Sequence, residues 1–172
     1  MASMRLFEDH DLPMDQVRRN VAEMLARARR SVFITTGLSS GRAGNAPPEG
    51  TLYDNLREEL WTVASSVDLV RILLDCDVDP DDIRAHHPWM FDLPKTLIAR
   101  AGGHVPHWVV VDGRDFRLEK PHELGTTKRD NIRILDCDPV IAEVLMKDAE
   151  AMWSGASAVR RTGSSAGSIT IA

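Results

Sequence analysis

Cysteine and long apolar runs are both scarce in this sequence. Only two of the 172 residues are cysteines, at positions 76 and 137, and this does not suit a secreted domain held together by disulfides. No segment approaches the roughly 18 consecutive apolar residues of a membrane span. Residues 1–15 lack the apolar centre of a signal peptide. We therefore expect a cytoplasmic protein with reduced thiols and no transmembrane segment.

An excess of basic residues is also missing. The chain has 21 Lys and Arg against 26 Asp and Glu, a net charge of -5. No overall positive field favours nucleic acid or an anionic membrane. Neither Cys-x-x-Cys nor His-Glu-x-x-His occurs, so the sequence predicts no metal site and no cofactor. Both cysteines stand between aspartates, which disfavour a reactive thiolate.

Hydrophobic periodicity predicts strands that alternate with helices along the chain. Apolar residues at helical spacing predict helices over 13–28, 52–64, 94–101 and 140–153, and residues 79–86 are predicted to be a short helix or a turn. Runs rich in β-branched residues predict strands at 31–36, 68–74, 105–111, 116–119 and 131–135. Residues 37–50 are rich in Gly, Ser and Pro and are predicted to be a long loop. This order is typical of an α/β fold in which helices cover a sheet.

The length and the composition favour one folded domain with unstructured ends. A chain of 172 residues with 43% hydrophobic residues can build a substantial core. We expect a loose N-terminus at 1–10 and an α/β domain at 11–153. Residues 154–172 are rich in Gly, Ser and Ala, which predicts a disordered tail.

The segment from His104 to Gly113, HVPHWVVVDG, is the most informative stretch of the sequence. It predicts a buried strand with histidines at its start and an Asp-Gly turn at its end. The following segment, 116–119, predicts the second strand of a hairpin.

This segment and the order of elements around it resemble a single-repeat phospholipase D-like domain, over roughly residues 13–155. In that family a His-x-Lys-x4-Asp strand is followed by a Gly-Ser-x-Asn stretch. When Asp112 is matched to the motif aspartate, His107 takes the lysine position and Val105 takes the position of the nucleophilic histidine. The Gly-Ser-x-Asn positions fall at Glu119, Lys120, Pro121 and His122. The resemblance thus implies a degenerate motif in a phospholipase D-like α/β fold.

His104 is the other candidate for the missing imidazole. It is one residue out of register with the motif, and side chains alternate between the two faces of a strand. His104 should therefore point away from His107, unless a β-bulge reverses it.

The remaining polar residues predict an anion site. His107, Lys120 and His122 would converge, with Asp112 and Glu119 close to them. Such a cationic cluster flanked by carboxylates can hold an anion and keep a histidine near neutral pKa. The alternative is that His107 is a partly buried strand residue with a local partner and that Lys120 and His122 are ordinary hairpin polar residues.

Three functions remain open at this point. The first is a catalytically degenerate regulatory module that senses a small anionic or phosphate-containing ligand or binds a protein. The second is a phosphodiesterase or phosphatidyl transferase with a rearranged site that uses His104 or His107 with Lys120. The third is nucleic-acid binding through the arginine-rich first helix, which the acidic balance disfavours. The resemblance also implies a homodimer, since single-repeat members of the family pair.

Overall fold

The computed structural model describes residues 3–37, 51–121 and 128–162. Eight strands form one mixed sheet, and helices cover both of its faces, so the predicted α/β architecture is confirmed. The strands are β1 (Arg5–Pro13), β2 (Ser31–Thr36), β3 (Leu69–Leu74), β4 (Thr96–Arg100), β5 (Trp108–Val111), β6 (Asp115–Glu119), β7 (Lys128–Leu135) and β8 (Ser157–Ala158). The helices are α1 (Met14–Leu25), α2 (Arg57–Ser66), α3 (Pro80–His86) and α4 (Pro139–Ser154).

The strand order places the start of β5 beside the end of β2. The order across the sheet is β1-β7-β6-β5-β2-β3-β4-β8. From β2 the chain moves outward through the parallel strands β3 and β4, and it then returns to the other side of β2 as the antiparallel strand β5. The direction of winding therefore reverses between β2 and β5, and such a reversal is where open α/β sheets commonly form a ligand crevice.

Each face of the sheet carries its own apolar core. On one face, here called the α1 face, Val17, Val21, Leu60 and Ile83 from α1, α2 and α3 join inward residues of β2 and β5 such as Ile34 and Val109. On the opposite face, here called the α4 face, Ala149 and Trp153 of α4 pack with Phe33, Leu73, Val110 and Phe116. The central strands are buried on both faces, which explains their continuously apolar sequences.

The expected loose start is wrong, because residues 5–13 form the edge strand β1. β1 pairs antiparallel with β7 from Arg5 to Pro13. Its attachment is partly ionic: Asp9 accepts a 2.6 Å hydrogen bond from Arg133, whose guanidinium also lies over the ring of Phe7. The exposed, acidic sequence of β1 lacks the apolar alternation by which strands are recognised.

Two further expectations on secondary structure are wrong. Residues 94–101, expected to be a helix, contain β4, because parallel pairing with β3 outweighs the weak helical spacing. The first part of the expected disordered tail is ordered. β8 pairs with the edge of β4, and the Val159 N–H donates a hydrogen bond to the Ile98 carbonyl. Residues 163–172 and most of the predicted 37–50 loop lie outside the described residues.

The motif strand is shorter than expected and begins only at Trp108. Pro106 has no N–H to continue the ladder. The hydroxyl of Thr35 takes over there, since it donates to the Pro106 carbonyl and accepts a 2.7 Å hydrogen bond from the Trp108 N–H. Within the described part of the chain, no helix has the length and apolar character that crossing a membrane requires.

A charge placed in the centre of β5 should unfold the domain. Val110 is 2% exposed and faces the α4 core, so Val110→Asp should cost more than about 3 kcal/mol of unfolding free energy. The matched control is Val144→Asp on α4, where the valine is 57% exposed and the cost should stay under about 1 kcal/mol. Urea denaturation of both variants measures the difference, and equal stabilities would contradict the placement of β5.

Candidate functional site

His107 stands at the point where the winding of the sheet reverses. It lies just before β5, and its ring packs against Gly37 at the end of β2. A Cβ at position 37 would lie 2.8 Å from the His107 Nε2 atom, so a larger residue there would displace the His107 ring. The imidazole is about a third exposed, at 36% of its side-chain surface.

Glu119 is the centre of the polar contacts around His107. Its buried carboxylate lies 3.4 Å from His107 Nδ1, accepts a 2.5 Å hydrogen bond from Arg117, and is 3.2 Å from the Nε atom of Arg129. These side chains come from the last residues before β5, from β6 and from β7. One carboxylate therefore joins three neighbouring segments of the sheet on its α1 face.

The pKa of Glu119 reflects these partners. Burial acts to raise the pKa, but hydrogen bonds and charge from His107 and Arg117 outweigh it and hold the pKa at about 2, below the ordinary 4.5. The carboxylate is thus ionised at neutral pH. It orients the His107 ring through Nδ1 and directs the Nε2 atom toward Gly37.

Two buried polar groups beside Glu119 have unused hydrogen-bonding capacity. Asn131 lies opposite Glu119 in the β6–β7 register and is fully buried. Neither of its side-chain amide atoms has a hydrogen-bond partner in the described structure, and the same holds for the Nε atom of Arg117, which is 1% exposed. Buried groups of this kind are costly to leave unpaired.

The described charges of this cluster are unequal in number. Among the described residues, Arg117 and Arg129 contribute two positive charges against the one negative charge of Glu119. His107 adds a further donor when it is protonated. Tyr53 lies over the same region on the α1 face; burial raises the pKa of its hydroxyl, on which the charges of Arg117 and Glu119 also act. We call His107, Arg117, Glu119, Arg129 and Asn131 the β6–β7 cluster.

Asp112 is not part of this cluster. The expectation that it lies close to His107 is therefore wrong. It follows β5 at the end remote from His107, with a φ of 55°. Its carboxylate accepts hydrogen bonds of 2.8 to 2.9 Å from the backbone N–H groups of Arg29, Arg30 and Ser31. Partial burial acts to raise the pKa of Asp112, but these three donors hold it below its ordinary value. Asp112 thus anchors the predicted Asp-Gly turn to the start of β2.

Lys120 is also separated from His107. Its side chain forms a 2.8 Å hydrogen bond with Glu8 of β1. Successive residues of a strand point to opposite faces, so Lys120 is on the other side of the sheet from Glu119. The third predicted cation, His122, lies outside the described residues.

His104 and Val105 do not supply the missing nucleophile beside His107. The His104 ring lies 3.1 Å from Asp75 Oδ1, at the end of β3. The backbone N–H of Val105 donates to the other oxygen of Asp75, and its side chain packs on the α4 face. The two histidines therefore have different partners. Both precede β5, so strand alternation, on which the expectation rested, does not apply to them.

Arg117, Arg129 and Asn131 were missed in the sequence. One signal was present, since Asp115, Arg117 and Glu119 alternate with apolar residues in a segment predicted to be a strand. Ordinarily such alternation indicates a solvated face. Only the register with β7 shows that this face is buried and that Asn131 stands beside Glu119.

The depressed pKa of Glu119 predicts a specific loss of stability in acid. A carboxyl group whose pKa is lowered by folding stabilises the fold above its unfolded pKa, near 4.5, and this stabilisation is lost as the pH falls toward 2. Between pH 7 and pH 3 the loss should reach about 2 kcal/mol. Glu119→Gln should reduce the unfolding free energy at pH 7 and weaken its dependence on pH.

Urea denaturation from pH 7 to pH 3, followed by tryptophan fluorescence, measures this effect. Glu143→Gln serves as the control, since that carboxylate is exposed on α4. The control should keep the pH dependence of the parent protein. Parallel curves for the parent and Glu119→Gln would contradict the assignment.

Comparison with known proteins finds similar folds but no similar sequence. No family model matches the chain, and no curated protein sequence matches it significantly. Among solved structures, Nuc from Salmonella typhimurium, a phospholipase D family member, is similar with a TM-score of 0.66 and 15% identity, over 92% of this chain and 99% of that one.

Two longer proteins contain a similar domain. Phosphatidylserine synthase of Haemophilus influenzae Rd KW20 has a TM-score of 0.62 and 11% identity, over 92% of this chain and 40% of its own. TrmBL2, an archaeal chromatin protein described with a novel mode of DNA binding, has a TM-score of 0.60 and 12% identity, over 91% of this chain and 55% of its own. The chain thus spans about half or less of these two proteins. It has a phospholipase D-like fold.

Proposed function

We propose that this protein is a catalytically degenerate phospholipase D-like module that binds a small anionic ligand at the β6–β7 cluster and acts in regulation. The observation that carries the proposal is the fully buried Asn131 amide, which has no described partner beside two arginines. A phosphate or carboxylate group would supply acceptors to Asn131, Arg117 and Arg129 together. Charge-assisted hydrogen bonds of this kind are among the stronger ones in proteins.

The residue at the nucleophile position of the family motif supports binding over catalysis. Val105 occupies the position that the family resemblance assigns to the nucleophilic histidine, and the nearby His104 is turned toward Asp75. Lys120, the cation expected to steady a phosphate, is paired with Glu8. A covalent phospho-enzyme mechanism needs an activated nucleophile together with groups that stabilise the transferring phosphoryl.

One observation favours the alternative, a phosphodiesterase or phosphatidyl transferase. The ionised carboxylate of Glu119 orients His107 through Nδ1, which is how an imidazole is positioned for nucleophilic or general base catalysis. In that case His107 Nε2 would attack phosphorus while the P–O bond to the leaving alcohol breaks and that oxygen takes a proton from solvent. Water, or an acceptor alcohol in a transferase, would then displace the imidazole, and Arg117 with Arg129 would replace the family's lysine. The test below distinguishes the two functions.

DNA binding, which is described for TrmBL2, remains the third alternative. The described contacts of α1 and the turn after it do not favour it. Arg27 is bound to Asp115 and Asp136, and Arg19 is paired with Asp15. Ion pairs of this kind reduce the positive charge that a phosphate backbone would meet.

The first measurement is hydrolysis of bis-nitrophenyl phosphate by protein freed of contaminating phosphodiesterases. We expect no turnover above a buffer blank, because removing an essential nucleophile raises the barrier by many kcal/mol. Hydrolysis that disappears in His107→Ala would overturn the binding proposal and support the alternative.

The second measurement is calorimetric titration with inorganic phosphate. Arg129→Ala and His107→Ala should each weaken binding by about tenfold, in line with the loss of one charge-assisted hydrogen bond. Lys120→Ala is the matched control, which removes a cation on the opposite face and should leave binding unchanged. Absence of phosphate binding, or its loss in Lys120→Ala alone, would contradict the β6–β7 cluster as the site.

A further inference from the structure

A second group of polar side chains lies at the end of β3, away from the β6–β7 cluster. Asp75, Cys76 and Asp77 follow the strand directly, and the connection over 101–107 returns His104 to the same place. Each of the four residues offers one atom able to bind a metal, and these atoms all lie within 4.8 Å of one another. In the described part of the chain, no other set of three or more such residues converges in this way.

The separations of these atoms come close to those of a tetrahedral site. His104 Nδ1 lies 3.6 Å from Cys76 Sγ and 3.1 Å from Asp75 Oδ1. Asp77 contributes Oδ2 at 3.9 Å from His104 Nδ1 and Oδ1 at 4.0 Å from Cys76 Sγ. Zinc binds its ligand atoms at roughly 2.0 to 2.3 Å, so neighbouring ligand atoms in a tetrahedron are about 3.3 to 3.7 Å apart. One of these four separations lies in that range and the other three lie within about 0.3 Å of it, so small side-chain rotations would complete the tetrahedron.

Asp75 is the buried and oriented member of this group. Its carboxylate is 7% exposed, and its described partners are His104 and backbone N–H groups rather than Lys or Arg. A metal ion would give this carboxylate a full cationic partner. Its orientation is fixed by the backbone N–H groups of Asp77 and Val105, at 3.0 and 2.8 Å. Second contacts of this kind hold metal ligands in place.

We propose that Asp75, Cys76, Asp77 and His104 bind one Zn²⁺ ion. Thiolate sulfur and imidazole nitrogen select a borderline transition metal over Mg²⁺ or Ca²⁺, and zinc also accepts carboxylate oxygen. Four protein ligands close the tetrahedron, which is typical of a structural site. The guanidinium of Arg100 donates to the Cys76 carbonyl and steadies the residue that carries the thiolate.

The ion would fasten the connection that carries His107. This connection leaves β4 and reaches the start of β5, and His104 is three residues before His107. Binding of Zn²⁺ would tie it to the end of β3. The site does not depend on the proposed anion function, because it shares no residue with the β6–β7 cluster.

The chain contains its own control for this proposal. The segment Leu135-Asp136-Cys137-Asp138 repeats Leu74-Asp75-Cys76-Asp77 after β7. There, however, Asp136 is bound to Arg27, Cys137 is buried in the core of the α4 face, and no converging histidine is described. The repeated segment therefore offers a cysteine in the same local sequence without a site.

Calorimetric titration with ZnCl₂ tests the site, on full-length protein reduced and stripped of metal with EDTA. We expect one equivalent to bind and to raise the melting temperature. Cys76→Ala and His104→Ala should each weaken binding at least tenfold, while Cys137→Ala and the exposed His86→Ala should stay within twofold of the parent. Substitution with Co²⁺ should give a sulfur-to-metal charge-transfer band that is absent in Cys76→Ala.

Each contrary result overturns the proposal. No Zn²⁺ binding by the parent protein would mean that His104 and Asp75 form an ordinary ion pair. Binding that persists in Cys76→Ala or His104→Ala would place the ion elsewhere. Loss of binding in Cys137→Ala, in protein that melts cooperatively, would also exclude the site.

Discussion

The buried charges of β6 are the constraint on which the rest of this half of the sheet depends. Asp115, Arg117 and Glu119 all point to the α1 face and are almost fully buried. Burying a charge without a partner costs several kcal/mol. Each charge therefore needs a counterpart on a neighbouring element, and these counterparts fix how the elements meet.

The partners of Asp115 and Glu119 show how this works. Asp115 accepts a 2.5 Å hydrogen bond from Arg27, just after α1, and another from the backbone N–H of Asp136, just after β7. Asp115 therefore links the end of α1 to the end of β7. At the other end of β6, Glu119 joins His107 to Arg129. Asp115 thus fixes the start of β6 against α1 and β7. Glu119 fixes the end of β6, where the candidate binding site lies.

The residues that form the fold are different from the residues that form the candidate site. The apolar strands β2, β3 and β5 form the centre of the sheet, and the similarity to Nuc at 15% identity extends over nearly the whole chain. The polar groups that could bind a phosphate come instead from β6 and β7. Such groups can change while the core is kept, because fold and function depend on different residues.

The sequence predicted the central strands well because their signal is local. Runs such as Ser31 to Thr36 are apolar and β-branched whatever surrounds them. β1, β4 and β8 were missed, since each is held by pairing with a strand distant in sequence or by ion pairs such as Asp9 with Arg133. His107 and Glu119 were found from a motif, but Asn131 required the β6–β7 register, which no local pattern encodes.

A crystal soaked in tungstate tests the central claim most directly. Tungstate has the shape and charge of phosphate and is located unambiguously by its electron density. We expect an anion that contacts Arg129 and the Asn131 amide on the α1 face, next to His107. An anion bound instead beside Lys120 on the opposite face, or no bound anion at a concentration that saturates phosphate sites, would contradict it.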